Sequence, residues 1–180
     1  IDAARATVLG LVMCPTRELA QQVHGVLATL GFPRGVRVAM CVGGDPLHPQ
    51  IAELQAGAQV VVGTPGRILD LYQQRFLSFP WTEFVVLDEA DKMFEIGFID
   101  DIKKILSFTP EERQTLLFSA TIPEDIKSYA QRYMKQPEFL TLIEQNVGCD
   151  DVEHHYYMVS GVGRSKDLVQ VIEYEEPDNA

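Results

Sequence analysis

Asp88-Glu89-Ala90-Asp91 places three carboxylates directly after the apolar run Phe84-Val85-Val86-Leu87. Two adjacent carboxylates at the end of a buried strand suit a hydrated Mg²⁺ and the hydrolysis of a nucleoside triphosphate, because a hard cation takes oxygen ligands and keeps part of its water shell. Such a site also needs a lysine on the phosphates, and no lysine occurs before Lys92. The tetrad alone is half of a phosphate-cleaving site. Its bland alternative is a charged turn closing a strand.

The elements that must position these carboxylates follow from the hydrophobic pattern. Short β-rich apolar runs occupy residues 8–14, 36–42, 60–62, 84–87, 115–118 and 139–143. They are nearly continuous rather than alternating, as expected of strands buried on both faces of a parallel sheet. Between them Leu19, Val23, Val26 and Leu30 recur at helical spacing. So do Ile68, Leu71 and Tyr72, then Ile99, Ile102, Ile105 and Leu106, then Ile126, Tyr129, Ala130 and Tyr133. The alternation predicts an α/β fold, an open and mostly parallel sheet with helices on both faces.

Ligands of such sheets bind outside the carboxyl ends of the strands, so the residues just after each run matter most. These are Pro15-Thr16-Arg17-Glu18, Gly43-Gly44, Thr64-Pro65-Gly66-Arg67, the acidic tetrad and Ser119-Ala120-Thr121. Singly they read as an N-cap, ordinary turns and loop hydroxyls. Jointly they would line one edge of the sheet.

Residues 144–151 carry turn and acidic residues without apolar period and read as an interdomain linker. Beyond it, residues 152–159 read as a new strand, 165–172 as a helix and 175–179 as a turn. This tail is too short to bury a core of its own.

Composition narrows the function classes. The net charge of -11, with 15 Lys plus Arg against 26 Asp plus Glu, argues against binding nucleic acid through bulk electrostatics. Any such binding must be local, and Arg17 and Arg67 sit in turn-like settings where a guanidinium can meet a phosphate. No apolar stretch approaches the ~20 residues needed to span a bilayer, and the N-terminus lacks a secretion signal, so a cytoplasmic location is expected. Cys14, Cys41 and Cys149 are widely spaced and form no C-x-x-C pair, which indicates buried thiols rather than a disulfide framework or zinc site. His154 and His155 are neighbours on an expected strand, point to opposite faces and lack a third ligand. Phe139, Tyr156 and Tyr157 fall in expected strands and read as core rather than base-stacking platforms.

The post-strand segments, in this order, resemble the motifs of the DEAD-box RNA helicases. Met93 with Gly97-Phe98, and Arg113-Gln114 leading into Leu116-Leu117-Phe118-Ser119, are similar to the family's flanking phrases. The resemblance runs over roughly residues 8–143, and its style is closer to bacterial members. It implies a RecA-like fold, with residues 1–143 the first RecA-like domain, 144–151 the linker and 152–180 the start of a second. It also implies ATP and Mg²⁺ as cofactors and RNA as partner, in a monomeric protein without membrane association.

The resemblance carries roles over residue by residue. Asp88 would hold Mg²⁺ through its water shell, and Glu89 would orient and deprotonate the attacking water. Asp91, Ser119 and Thr121 would form a hydrogen-bonded relay between nucleotide and RNA sites. Pro15, Thr16, Arg17, Gly44, Thr64, Pro65, Gly66 and Arg67 would meet the RNA. Hydroxyls, backbone N–H groups at helix starts and arginine forks bind phosphate oxygens without reading bases, so recognition would be independent of sequence. Glu18, a carboxylate, would support the helix start or orient Arg17.

The chain departs from the family in lacking a G-x-x-x-x-G-K-[ST] P-loop, expected some tens of residues before Pro15, and an adenine-reading segment earlier still. The reading is therefore of a helicase fragment inactive on its own, whose sheet would lose a central strand and show two unpaired edges. Two alternatives stand beside it: a non-enzymatic RNA-binding pseudo-helicase module, and a DNA translocase of the same superfamily. Asp91 favours RNA, since the tetrad is D-E-A-D rather than D-E-x-H.

Overall fold

The computed structural model describes residues 1–142, 156–158 and 163–175. Five parallel strands, β1 (Gly10–Met13), β2 (Val38–Cys41), β3 (Val60–Gly63), β4 (Phe84–Leu87) and β5 (Gln114–Leu117), form one sheet in the order β2-β3-β1-β4-β5. Every residue of β1 and β3 is buried, which is why their sequences are apolar at each position rather than at alternate ones. Strand β1 is central, with Met13 in register with Gly63 on one side and Leu87 on the other. The five strands pair without a gap, so the expected break at a missing central strand does not occur; β2 and β5 are the edges.

Seven α-helices are described: α1 (Arg17–Gly31), α2 (Leu47–Gln55), α3 (Pro65–Gln73), α4 (Ala90–Ile96), α5 (Ile99–Ser107), α6 (Glu124–Tyr133) and α7 (Arg164–Glu175). The direction of each crossover decides which face its helix covers, because parallel connections are right-handed. Only the β1-to-β2 connection runs leftward along the sheet order, and α1 packs Leu19, Ala20, Val23 and Leu27 against Val12, Val60 and Val62. The rightward connections place Ile51 of α2, Ile68 and Leu71 of α3 and Ile102 and Ile105 of α5 in the other cluster, around Leu11, Val61, Val85 and Leu87.

Two buried amides hold strand ends that the ladder leaves open. Gln59 accepts the Arg37 N–H at 2.8 Å and donates to the carbonyls of Ala3 and Arg5 at 3.1 and 3.0 Å. Gln50 accepts the Val42 N–H at 3.2 Å and donates to the Val42 carbonyl at 3.0 Å. Each amide replaces water on main-chain groups that would otherwise be buried unpaired.

The chain divides into two units, Ile1–Glu138 and Phe139–Ala180. The first holds the whole sheet; the second holds α7. Residues 139–142 are not a strand, although their composition reads as one. An apolar run needs a sheet edge to pair with, and β5 bonds only to β4. Phe139, Tyr156 and Tyr157 are correspondingly exposed, at 48%, 89% and 40%, and are not the core residues their pattern implied. Residues 156–158 also lack strand structure. The expected linker, Cys149, the His154-His155 pair and the turn at 176–179 lie outside the described residues.

Candidate functional site

The loops after all five strands open at the carboxyl edge of the sheet, and each sequence-selected residue lies there. Asp88 follows β4 directly and is tied to the centre of the sheet by its N–H to the Met13 carbonyl, 3.0 Å. It is half-buried, and its Oδ1 accepts the Glu89 N–H at 3.1 Å. Glu89 is exposed and left-handed, with φ 50 and ψ 56. That region costs a non-glycine residue about 1–2 kcal/mol. The strain turns the chain from β4 into α4 without a linker, and the Ala90 N–H bond to the Phe118 carbonyl at 3.0 Å fixes the turn against β5.

The donor set at this corner fits a hydrated divalent cation. Neither Asp88 nor Glu89 has an ion-pair partner among the described residues, and their charge reaches the end of β1. There burial first, then Asp88 and Glu89, push the Cys14 thiol up to about 12. No group of three or more metal-ligating side chains occurs among the described residues, so water and phosphate oxygens would complete a coordination shell begun by these carboxylates. Lys92 does not substitute for a phosphate-binding lysine, because its ammonium is held by Glu95 at 2.9 Å.

Asp91, Ser119 and Thr121, the residues of the expected relay, are joined in a closed ring of hydrogen bonds. The Asp91 N–H donates to Ser119 Oγ at 3.2 Å, and Ser119 Oγ donates to the Thr121 carbonyl at 2.6 Å. The Thr121 N–H and Oγ1 both donate to Asp91 Oδ2, at 2.9 and 2.8 Å. Partial desolvation raises the Asp91 carboxyl, but the bonds from Thr121 and from the Lys92 N–H outweigh it, and the group sits below its ordinary value. The ring clips the first turn of α4 to the loop after β5.

The turns after β1, β2 and β3 form the other half of the edge. Thr16 caps α1, its Oγ1 accepting the Leu19 N–H at 3.2 Å. Pro15, Thr64 and Pro65 are buried and present backbone rather than side chains, while Gly44 and Gly66 are exposed. The Thr64 Oγ1 accepts the Gly43 N–H at 3.4 Å and ties two of the turns together. Gly44 has φ +83, and a Cβ there would lie 3.0 Å from Arg17 Nη1. The left-handed conformation favours glycine, while the contact would ask only that the flexible Arg17 head shift slightly.

Both arginines converge on a residue that the sequence did not single out. Arg17 Nη1 lies 3.4 Å from Asp45 Oδ1, and Arg67 donates through both terminal nitrogens to the Asp45 carbonyl at 3.3 and 3.4 Å. Its position directly after Gly43-Gly44 was the only available signal. Glu18 stands 3.7 Å from Arg17 Nη2, as expected of an orienting carboxylate.

Comparison with known proteins agrees with this geometry. The family model described as DEAD/DEAH box helicase matches residues 2–129. The chain is 39% identical over 180 residues to the DEAD-box ATP-dependent RNA helicase CshA of Streptococcus pneumoniae, covering 100% of this chain and 34% of that protein. It is 40% identical over 171 residues to the RNA helicase CrhR of Synechocystis, covering 94% of this chain and 35% of the relative. The chain thus spans about a third of the length of these curated relatives. The crystal structure of a DEAD box protein from Methanococcus jannaschii superposes with a TM-score of 0.71 at 35% identity, covering 93% of this chain and 45% of that one. The chain belongs to the DEAD/DEAH box helicase family.

Proposed function

We propose that the protein to which this chain belongs is an ATP-dependent RNA helicase that binds single-stranded RNA by its backbone and unwinds short duplexes. On this reading residues 1–143 belong to the first of two RecA-like domains and 152–180 begin the second, in a monomeric cytoplasmic protein. The observation that carries the proposal is the hydrogen-bonded ring of Asp91, Ser119 and Thr121, which joins the segment bearing Asp88 and Glu89 to the next loop along the same edge.

ATP and Mg²⁺, when bound, supply the cleavable phosphoanhydride and the charge neutralisation it needs. Asp88 holds the hydrated cation as a half-buried oxygen donor fixed by its backbone bond to β1. Glu89, exposed and held at a defined angle by its left-handed backbone, accepts the proton of the attacking water. Arg17, Arg67, Thr16 and the N–H groups opening α1 and α3 meet RNA phosphates, with Pro15, Gly44, Thr64, Pro65 and Gly66 shaping the turns. Such contacts are local, which reconciles RNA binding with a net charge of -11. No helix among the described residues is long and apolar enough to cross a membrane.

Replacing Glu89 by Gln in the full-length protein tests the assignment. It is expected to reduce RNA-stimulated ATP turnover by about 10²-fold or more while leaving nucleotide affinity within a few-fold, since general-base catalysis is worth that much. Undiminished turnover would sink the assignment.

A further inference from the structure

Arg17 and Arg67 meet at Asp45 by chemically different means. Arg67, with its side chain 15% exposed, donates to the uncharged Asp45 carbonyl and stands 3.8 Å from the Asp70 carboxylate, so Asp45 itself adds no charge to it. Arg17, 53% exposed, is held by the Asp45 carboxylate and flanked by Glu18. A carboxylate and a phosphate compete for the same guanidinium fork, whereas a peptide carbonyl adds no charge to the site. One side chain therefore serves as counter-ion to one arginine while its backbone anchors the other.

We infer that Asp45 is a built-in competitor of the RNA backbone, a deepening that rests on the proposed RNA-facing role of Arg17. In the RNA-free protein its carboxylate occupies Arg17 in the place of a phosphate. It keeps the guanidinium over Gly44, 3.0 Å from where a Cβ on that residue would lie. An arriving phosphate competes with the Asp45 carboxylate for Arg17 Nη1, and the two negative groups repel each other there, so binding one weakens the hold of the other. The Arg67 anchor survives the exchange. The device lowers affinity and speeds release, which suits a protein that must let go of its strand in every cycle.

The experiment measures binding of fluorescein-labelled oligo-uridine to the full-length protein by anisotropy at several salt concentrations. Asp45→Asn removes the charge and keeps the backbone carbonyl. It is expected to tighten binding roughly two- to tenfold at low salt, the range that an exposed ion pair and one nearby like charge allow. The dependence of log K on log salt should steepen by up to about 0.7, one phosphate's share for a single strand, so that the gain shrinks as salt rises. Asp45→Glu should restore wild-type affinity. In an Arg17→Ala background Asp45→Asn should be silent. Weaker or unchanged binding by Asp45→Asn, with Arg17→Ala still impaired, overturns the competitor role and leaves the RNA-facing reading standing. If Arg17→Ala binds like wild type, that reading falls and takes the inference with it.

Discussion

Two glycines three residues apart, Gly63 and Gly66, should respond to alanine with opposite signs. Gly63 ends β3 between two neighbours, in register with Met13 of β1 and Cys41 of β2. A Cβ on Gly63 would lie 1.9 Å from the Cys41 carbonyl oxygen and 2.8 Å from its carbon, both backbone atoms that cannot rotate away. Since such contacts do not fall below 3.0 Å, β2 and β3 must part by about 1.1 Å at the edge that carries the site. The same oxygen accepts the Thr64 N–H at 3.0 Å, so parting the strands also frees a buried donor and acceptor. Overpacking costs about 1–3 kcal/mol and an unpaired buried polar group about as much again, which gives roughly 2–6 kcal/mol. Gly66, in the first turn of α3, meets nothing within 4 Å. Alanine there should be neutral or stabilising by up to about 1 kcal/mol through helix propensity and reduced chain entropy. Urea unfolding followed by circular dichroism separates the cases. With a slope of about 1–3 kcal/mol per molar, Gly63→Ala should lower the midpoint by about 0.7 M or more, and Gly66→Ala should hold or raise it. Equal shifts in the two variants, or a Gly63→Ala midpoint within about 0.3 M of wild type, would refute the steric reasoning.

Two further outcomes follow from the site's titrating groups. The Asp91 carboxyl is held below its ordinary value in the folded protein, so its contribution to stability is present above the unfolded value and is lost as pH falls through the folded one. The Thr121 amide should therefore stay protected from hydrogen exchange at neutral pH and lose protection only below the ordinary carboxylate range; protection independent of acid would contradict the ring. Burial raises the Cys14 and Cys41 thiols to about 12, with Asp88 and Glu89 adding to the first and Glu53 to the second. Both should resist iodoacetamide at pH 8 until the protein is unfolded, because the thiolate is the reactive form. Mass spectrometry of native and urea-treated protein reads this directly.

Strands β1 and β3 were legible because parallel strands buried on both faces must be apolar at every position, and the apolar runs of β2, β4 and β5 also stood out although their residues are buried alternately or only in part. Helices α2 and α4 were not. Pro46 and Pro49 make the start of α2 look like a loop, yet Pro46 is its N-cap and Pro49 lies in the first turn, where a missing N–H costs nothing. Helix α4 is seven residues, too short to show a period, and is set by the left-handed Glu89 before it and Gly97 at φ +96 after it. The motif residues could be placed on one edge from order alone. Asp45, Gln50 and Gln59 could not: Asp45 matters through two arginine side chains that the fold brings to it, and the two amides through main-chain groups outside their own elements. The run at 139–142 failed for the converse reason: its composition suits a strand, but strand formation also requires a partner edge.

Strand order explains why the site has two halves and where they meet. From central β1 the chain leaves toward β2 and β3, while β4 hands on to β5 in the opposite direction, so the carboxyl ends of β1 and β4 flank the switch point where α/β sheets hold ligands. The turns bearing Arg17, Gly44 and Arg67 lie on one side of that point, and Asp88, Glu89 and the ring of Asp91, Ser119 and Thr121 lie on the other. The Asp88 N–H bond to the Met13 carbonyl crosses it, and the Cys14 N–H bond to the Gly63 carbonyl continues the line toward Thr64 and Arg67. The charges of Asp88 and Glu89 are already felt at the Cys14 thiol, one residue before Pro15 opens the turn to Arg17. Main-chain hydrogen bonds therefore link the carboxylate corner to the turn bearing Thr64 and Arg67 through the end of β1, a strand paired on both sides and buried throughout.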